Sequence, residues 1–146
     1  LPAGRVFAPA LLPGAWHVGG TTSGRLVGGN LSLMASLCGT PWAIDARGAI
    51  LFIEDVSEAL YRVDRLLTQL RHSGVIDAAS GFLLGSFTED ADPTAVLREH
   101  LAGLGKPVLA GWPAGHGRPN RALPLGAGVT LDAGAGTLTL DEGVLA

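Results

Sequence analysis

The amino-acid sequence predicts an α/β fold with a mixed sheet and flanking helices. Apolar runs of strand length alternate with segments of helical periodicity, and two further short runs near the end are joined by a glycine-containing turn. The 146 residues lie in the size range of one domain, and a 47% hydrophobic share with 16% charged residues is typical of a folded globular chain. Residues 1–20, rich in Pro, Gly and Ala, are expected to form an arm or linker before a domain at residues 21–146.

Three apolar runs predict strands, at residues 49–53, 81–87 and 107–110. Because the apolar side chains of residues 49–53 stand at successive positions, both faces of that strand are expected to be covered. Residues 129–132 and 137–140 flank a turn of alternating alanine and glycine, which is typical of a hairpin. The sheet is therefore expected to combine strands that alternate with helices and a closing hairpin.

Three segments are predicted to be helical. Residues 31–38 follow Asn30, whose side chain is well suited to cap the first turn. Residues 57–73 place most of their leucines on one face, and Asp55 or Ser57 is the expected cap. Residues 93–101 begin at a proline, which the first turn of a helix accepts.

Glu54 follows a buried strand directly, at the edge of the sheet where the side chains of an α/β site gather. A carboxylate at that place can orient a histidine or act as a base. The alternative is that Glu54 and Asp55 only favour the positive end of the following helix, and Asp55 is the better candidate for that purpose. Position alone leaves both interpretations of Glu54 open.

His116 lies between two glycines in the loop that follows the third predicted strand. The flanking glycines leave the imidazole uncrowded, and a histidine titrates near neutral pH, so a general base is one interpretation. A surface histidine without a chemical role is the other. His72 is expected at a helix end and His100 on an exposed surface.

Several classes of protein and site are disfavoured. The net charge of −3 and the scattered arginines argue against nucleic-acid binding. No apolar run has the length of a membrane span, and the absence of a signal-peptide pattern makes the cytoplasm the expected compartment. The histidine spacing and the single Cys38 argue against a metal site, and no cofactor is expected. Cys38, Trp16 and Trp112 are expected to have packing roles, and Gly28 and Gly29 to form a tight turn rather than an anion site.

A nucleophile is missing from this set of candidates. Each serine of the chain lacks the Gly-x-Ser-x-Gly elbow that exposes a catalytic hydroxyl. The sequence therefore offers a base and a group to orient it, without an attacking atom.

An ordered set of motifs spans roughly residues 24–132 and resembles the L,D-carboxypeptidase family of serine peptidases. The motifs are GGNLSL at residues 28–33, GTPW at 39–42, GAILFIED at 48–55, YRVDR at 61–65, GHG at 115–117, PN at 119–120 and LPLG at 123–126. Each motif is weak alone, whereas their common order and spacing are specific.

The resemblance implies a fold, a site and a reaction. It implies a C-terminal domain of the swivelling β/β/α type, which supplies the glutamate and histidine of a Ser–His–Glu triad, here Glu54 and His116. The family serine belongs to an N-terminal domain without a counterpart in this sequence, so residues 1–20 would be an interdomain arm and the isolated chain would be inactive. Family members are commonly homodimers, which makes a second copy an expected partner.

The implied substrate is a cytoplasmic murein tetrapeptide, which loses its terminal D-alanine by hydrolysis. A related branch of the family hydrolyses peptide–nucleotide conjugates of the microcin C type and confers immunity. A third interpretation, from another class, is a binding or dimerisation module without catalysis.

Overall fold

The computed structural model describes residues 1–144, and its sheet confirms the predicted α/β class. Within residues 1–144, eight strands lie in the order β1-β8-β7-β3-β4-β5-β6-β2. Their bounds are β1 Val6–Phe7, β2 His17–Val18, β3 Thr21–Asn30, β4 Ile50–Val56, β5 Gly81–Thr88, β6 Val108–Ala110, β7 Gly128–Asp132 and β8 Thr137–Leu140. The four strands β3, β4, β5 and β6 are parallel, and the remaining pairs are antiparallel.

Strand β3 joins the parallel strands of this sheet to its antiparallel β7–β8 hairpin. Its first half pairs with β7, from Thr21 to Arg25, and its second half pairs with β4, from Leu26 to Asn30. The β7–β8 hairpin is thereby attached to the parallel strands while its side chains pack across one of their faces, which gives the sheet its curled form.

Four helices of the described residues accompany the strands: α1 Leu31–Leu37, α2 Leu60–His72, α3 Val75–Ala78 and α4 Thr94–Leu101. The alternation of side chains along β4 assigns its residues to two cores. Leu51 and Ile53 pack with buried helix residues such as Leu67, whereas Ile50 and Phe52 pack with residues of the hairpin. The parallel strands are therefore covered by helices on one face and by strands on the other, which confirms the prediction made for residues 49–53.

The structure confirms the predicted strands and helices to within a few residues, with differences at their ends. Strand β4 extends through Glu54 and Asp55, which were predicted to follow it. Helix α2 begins only at Leu60, and its N-cap residue makes no side-chain bond, so the prediction that Asp55 or Ser57 caps it was wrong. The reason is that the Ser57 N–H is bound to the Thr88 carbonyl, which keeps the chain in a loop after β4.

Two other expectations were wrong. Gly28 and Gly29 continue β3 instead of forming a tight turn, and a Cβ at Gly28 would stand 2.0 Å from the Phe52 carbonyl oxygen. His100 is buried, because it shares the buried face of α4 with Leu97 and Leu101, and its ring Nε2 pairs there with Asp64 of α2 at 2.6 Å. The packing role expected of Trp112 is confirmed, since its side chain is fully buried.

Residues 1–20 contain two short strands that the sequence analysis did not predict. Strand β1 pairs with β8 at one edge of the sheet, and β2 pairs with β6 at the other. Between them Trp16 packs against the helix-side core, and the guanidinium carbon of Arg98 lies 4.6 Å from the centre of a Trp16 ring. The arm is thus ordered along the domain, and its role between domains stays a prediction.

Candidate active site

Glu54 and Asp55, near the end of β4, have side chains on opposite faces of the sheet, as consecutive residues of a strand do. The Asp55 carboxylate accepts hydrogen bonds from the Asn30 side chain at 3.0 Å and from the Ser32 N–H at 2.9 Å. Asn30 in turn accepts from the Leu33 N–H, which confirms it as the N-cap of α1. Asp55 therefore stabilises the start of α1, the helix that follows the neighbouring strand β3, and both of its carboxylate oxygens are hydrogen-bonded there.

The side chain of Glu54 lies on the opposite face of the sheet and contacts His116. Its Oε2 accepts a hydrogen bond from His116 Nδ1 at 2.7 Å, although the two residues are 62 positions apart. The Glu54 side chain is 7% exposed and the His116 side chain 51% exposed. A buried carboxylate thus holds a ring whose other nitrogen, Nε2, has no hydrogen-bond partner within residues 1–144. The structure therefore brings together the two residues singled out from the sequence.

The charge of this pair changes the acidity of the histidine. The hydrogen bond to Glu54, followed by the attraction of its negative charge, raises the pKa of His116 above its usual range. Desolvation acts in the opposite direction, and the more distant carboxylates of Asp55 and Glu89 add smaller contributions that raise it. An imidazole that is oriented by a carboxylate and whose charged form is stabilised by it has the properties of a general base.

The loop that carries His116 is fixed on both sides of the ring by Ser86, a buried residue near the end of β5. The Ser86 N–H donates to the Ala114 carbonyl at 2.8 Å, and the Ser86 hydroxyl accepts from the Gly117 N–H at 3.1 Å. The side chain of Asn120 adds a third bond, since its Oδ1 accepts from the Gly115 N–H at 3.1 Å. His116 therefore stands at the centre of a loop whose backbone is held at several points.

The close packing around this loop requires a residue without a side chain at position 115, which is Gly115. Its φ of 123° lies in the region that favours glycine, and a Cβ there would stand 2.5 Å from Ser86 Oγ and 2.9 Å from Glu54 Oε2. Sequence reasoning identified Gly115 only as a flank of His116 and did not find Ser86 or Asn120 as its supports. The GHG and PN motifs of the sequence indicate that this loop is functional, whereas no motif includes Ser86.

The pair lines an open cavity of about 300 Å³. Its walls are formed by the sheet and by the loop from Ala114 to Leu125, namely Phe52, Glu54, Ala114, Gly115, His116, Asn120, Arg121, Ala122, Leu123 and Leu125. In the part of the chain that the structure describes, no group of three or more His, Cys, Asp and Glu side chains is placed to hold a metal ion. Among the helices of residues 1–144, none has the length and apolarity that a membrane crossing requires.

Comparison with known proteins gives a consistent result. The family model described as the LD-carboxypeptidase C-terminal domain matches residues 23–131. A Bacillus subtilis protein named probable murein peptide carboxypeptidase is 38% identical over 146 residues, which cover 94% of this chain and 46% of that protein. The chain spans about half the length of the curated relatives it matches.

Two groups of solved structures share the fold. The muramoyltetrapeptide carboxypeptidase of Oxalobacter formigenes superposes with a TM-score of 0.75 at 36% identity, over 89% of this chain and 50% of that one. The microcin C7 self-immunity protein MccF, solved in complex with glutamyl sulfamoyl guanosine, gives a TM-score of 0.81 at 32% identity, over 91% and 42% of the two chains. With its family match, its relatives and its fold in agreement, this chain belongs to the LD-carboxypeptidase family and corresponds to the family's C-terminal domain.

Proposed function

We propose that the chain supplies the general base, His116, and its orienting carboxylate, Glu54, to a serine-type L,D-carboxypeptidase. The observation that carries the proposal is the 2.7 Å contact between His116 Nδ1 and the buried Glu54 carboxylate, which leaves Nε2 of a half-exposed ring without a partner among the described residues. A serine from a domain outside this chain would approach that nitrogen. The isolated chain would have no peptidase activity, because its described residues bring no hydroxyl to within hydrogen-bonding distance of Nε2.

The proposed reaction is acyl transfer. The serine Oγ attacks the scissile carbonyl carbon while its proton passes to His116 Nε2, and Glu54 stabilises the resulting imidazolium. When the C–N bond breaks, the imidazolium returns a proton to the departing amine. Water then attacks the acyl ester by the same route, with His116 taking its proton, and the serine is restored.

The proposed substrate is a murein tetrapeptide that loses its terminal D-alanine. This proposal rests on the similarity to relatives named as murein and muramoyltetrapeptide carboxypeptidases. The cytoplasm, which the sequence analysis gave as the expected compartment, is proposed as the site of the reaction.

The test uses the full-length protein that contains this chain, with the release of D-alanine from murein tetrapeptide as the readout. We expect His116→Ala to lower kcat by about 10⁴-fold or more, and Glu54→Gln by about 10³-fold or more. His72→Ala is the matched control, because His72 is exposed at the far end of α2. Rates close to wild type in the two site variants, or turnover by the isolated 146-residue chain, would contradict the proposal.

A second candidate is the hydrolysis of aminoacyl-nucleotide conjugates. The structures of MccF superpose with a higher TM-score than the muramoyltetrapeptide carboxypeptidase, and MccF has been solved with aspartyl sulfamoyl adenosine. The same base and carboxylate would serve both reactions. Assaying murein tetrapeptide and an aminoacyl sulfamoyl nucleoside side by side distinguishes them, since only one is expected to be turned over or to bind tightly.

A further inference from the structure

Arg121 lines the same cavity as the His116–Glu54 pair. Its backbone N–H donates to the Pro113 carbonyl at 2.7 Å, so the base of its side chain is fixed to the buried start of the His116 loop. Its side chain is exposed and forms no ion pair with the residues that the structure describes. An arginine, whose guanidinium is always charged, thus lines the cavity of the proposed base.

The groups around Arg121 favour an anion. Glu54 supplies the cavity's carboxylate, and that group is already engaged by His116. Arg121 also borders a neighbouring cavity of about 400 Å³, together with Arg5 and Trp112 and without an acidic residue. The indole N–H of Trp112 is buried and has no acceptor within residues 1–144. Among the described residues, neither cavity therefore offers Arg121 a carboxylate that is not already bound, and the second cavity adds the charge of Arg5 and the unpaired N–H of Trp112.

We propose that Arg121 binds the free α-carboxylate of the peptide's C-terminal residue and so selects substrates that end at that residue. The inference rests on the proposed peptidase function. In such a peptide the carboxylate is separated from the leaving nitrogen by one carbon atom, so a carbonyl placed at His116 brings the carboxylate into the cavity that Arg121 lines. The planar guanidinium matches a carboxylate with two parallel hydrogen bonds.

The remaining walls suit a small terminal residue. Phe52, Leu123 and Leu125 give the cavity an apolar side, which accepts a methyl group such as that of alanine. A C-terminal amide has the same shape as the acid but no charge. The difference between the two therefore measures what the guanidinium contributes.

The decisive experiment compares murein tetrapeptide with its C-terminal amide in the full-length protein. For the wild type we expect kcat/KM to be about 10- to 100-fold higher for the acid, the range of a hydrogen bond between charged groups. Arg121→Met should lower kcat/KM for the acid by a similar factor, leave the amide almost unchanged, and bring the ratio of the two close to one. Arg121→Lys should restore part of the ratio, because it restores the charge.

Arg118→Met is the matched control, because Arg118 is an exposed arginine of the same loop that borders a different cavity. It should retain the wild-type ratio of acid to amide. A wild-type ratio in Arg121→Met, with turnover intact, would overturn the inference while leaving the proposed function in place.

A binding measurement decides the case in which the full-length protein does not cleave murein tetrapeptide, an outcome that rejects the proposed substrate. N-acetyl-D-alanine and its amide are titrated into the 146-residue chain, and the imidazole resonances of His116 are followed by NMR. The acid should shift them in the wild type and in Arg118→Met, and neither compound should do so in Arg121→Met. An equal response to acid and amide, no response to either, or a response that survives in Arg121→Met would reject the role of Arg121.

Discussion

Glu54 and Asp55 are neighbours in β4, yet their carboxylates serve opposite faces of the sheet: Glu54 binds the imidazole of His116 and Asp55 binds the first turn of α1. The strand alternation that separates them also separates their effects. Substitution of one should change the chemistry of the site, and substitution of the other should change the stability of the fold.

Glu54→Gln should lower the pKa of His116. The glutamine side chain keeps a hydrogen-bond acceptor near Nδ1 but removes the negative charge that stabilises the imidazolium. The midpoint of the His116 titration, followed by NMR in the isolated chain, should lie above about 6.5 in the wild type and move down in the variant. An unchanged midpoint would show that Glu54 does not control the charge of the ring.

The same pair should make stability depend on pH with a defined sign. Because the folded pKa of His116 is raised, the stabilisation is complete below the unfolded value of about 6.5 and is lost as the pH rises through the folded value. The difference in the free energy of unfolding between wild type and Glu54→Gln should therefore shrink across that interval. A difference that grows with pH would contradict the assignment.

Asp55→Ala should destabilise the chain by about 2 to 3 kcal/mol, since it leaves the donors of Asn30 and Ser32 without an acceptor in a partly buried place. Denaturant unfolding measures this loss. Asp45→Ala is the control, because the Asp45–Arg47 pair is largely exposed and should contribute no measurable stability. The NMR titration of His116 in Asp55→Ala should retain most of its upward shift.

Ser86→Ala should loosen the His116 loop and reduce the upward shift of the His116 pKa. The substitution removes the acceptor of the Gly117 N–H while leaving the backbone bond to Ala114 in place. Ser80→Ala is the control, because Ser80 begins the same segment of chain but its hydroxyl contacts the carbonyl of Ala49 instead. If both variants titrate like the wild type, the hydroxyl of Ser86 does not position the ring.

Gly115→Ala should damage the site more than its backbone strain alone explains. The added methyl group would collide with Ser86 Oγ and Glu54 Oε2. Gly126→Ala isolates the strain, since Gly126 has a φ of 87° and open space around its Cβ position, and should cost about 1 to 2 kcal/mol. The His116 titration should move only in Gly115→Ala, and equal behaviour of the two variants would remove the steric argument.

The central elements were predictable because local patterns define them. Apolar runs predicted β4, β5 and β6, and the helical spacing of Val63, Leu67 and Leu70 predicted α2. Strand β3 was missed because glycines and threonines occupy much of it, and its pairing depends on β4 and β7, which lie far along the chain. The two-residue strands β1 and β2 exist only through such distant partners.

The residues of the candidate site were likewise predictable only in part. Glu54 and His116 were found through the motifs that resemble a family, since position alone left each open to a simpler interpretation. Ser86 and Arg121 gave no signal, because their contacts arise only when β5 and the His116 loop come together. His100 was misjudged although it stands three residues after the buried Leu97, as Leu101 stands four, and these spacings indicate one buried face of the helix.

The two outermost strands both come from the first 18 residues of the chain. Strand β1 covers the free side of β8 and β2 covers the free side of β6, so one short segment closes both ends of the sheet. Unpaired strand edges are templates on which further chains can assemble, and two-residue strands leave little for such growth. The segment that joins two domains in the proposed enzyme would then also keep this domain from polymerising.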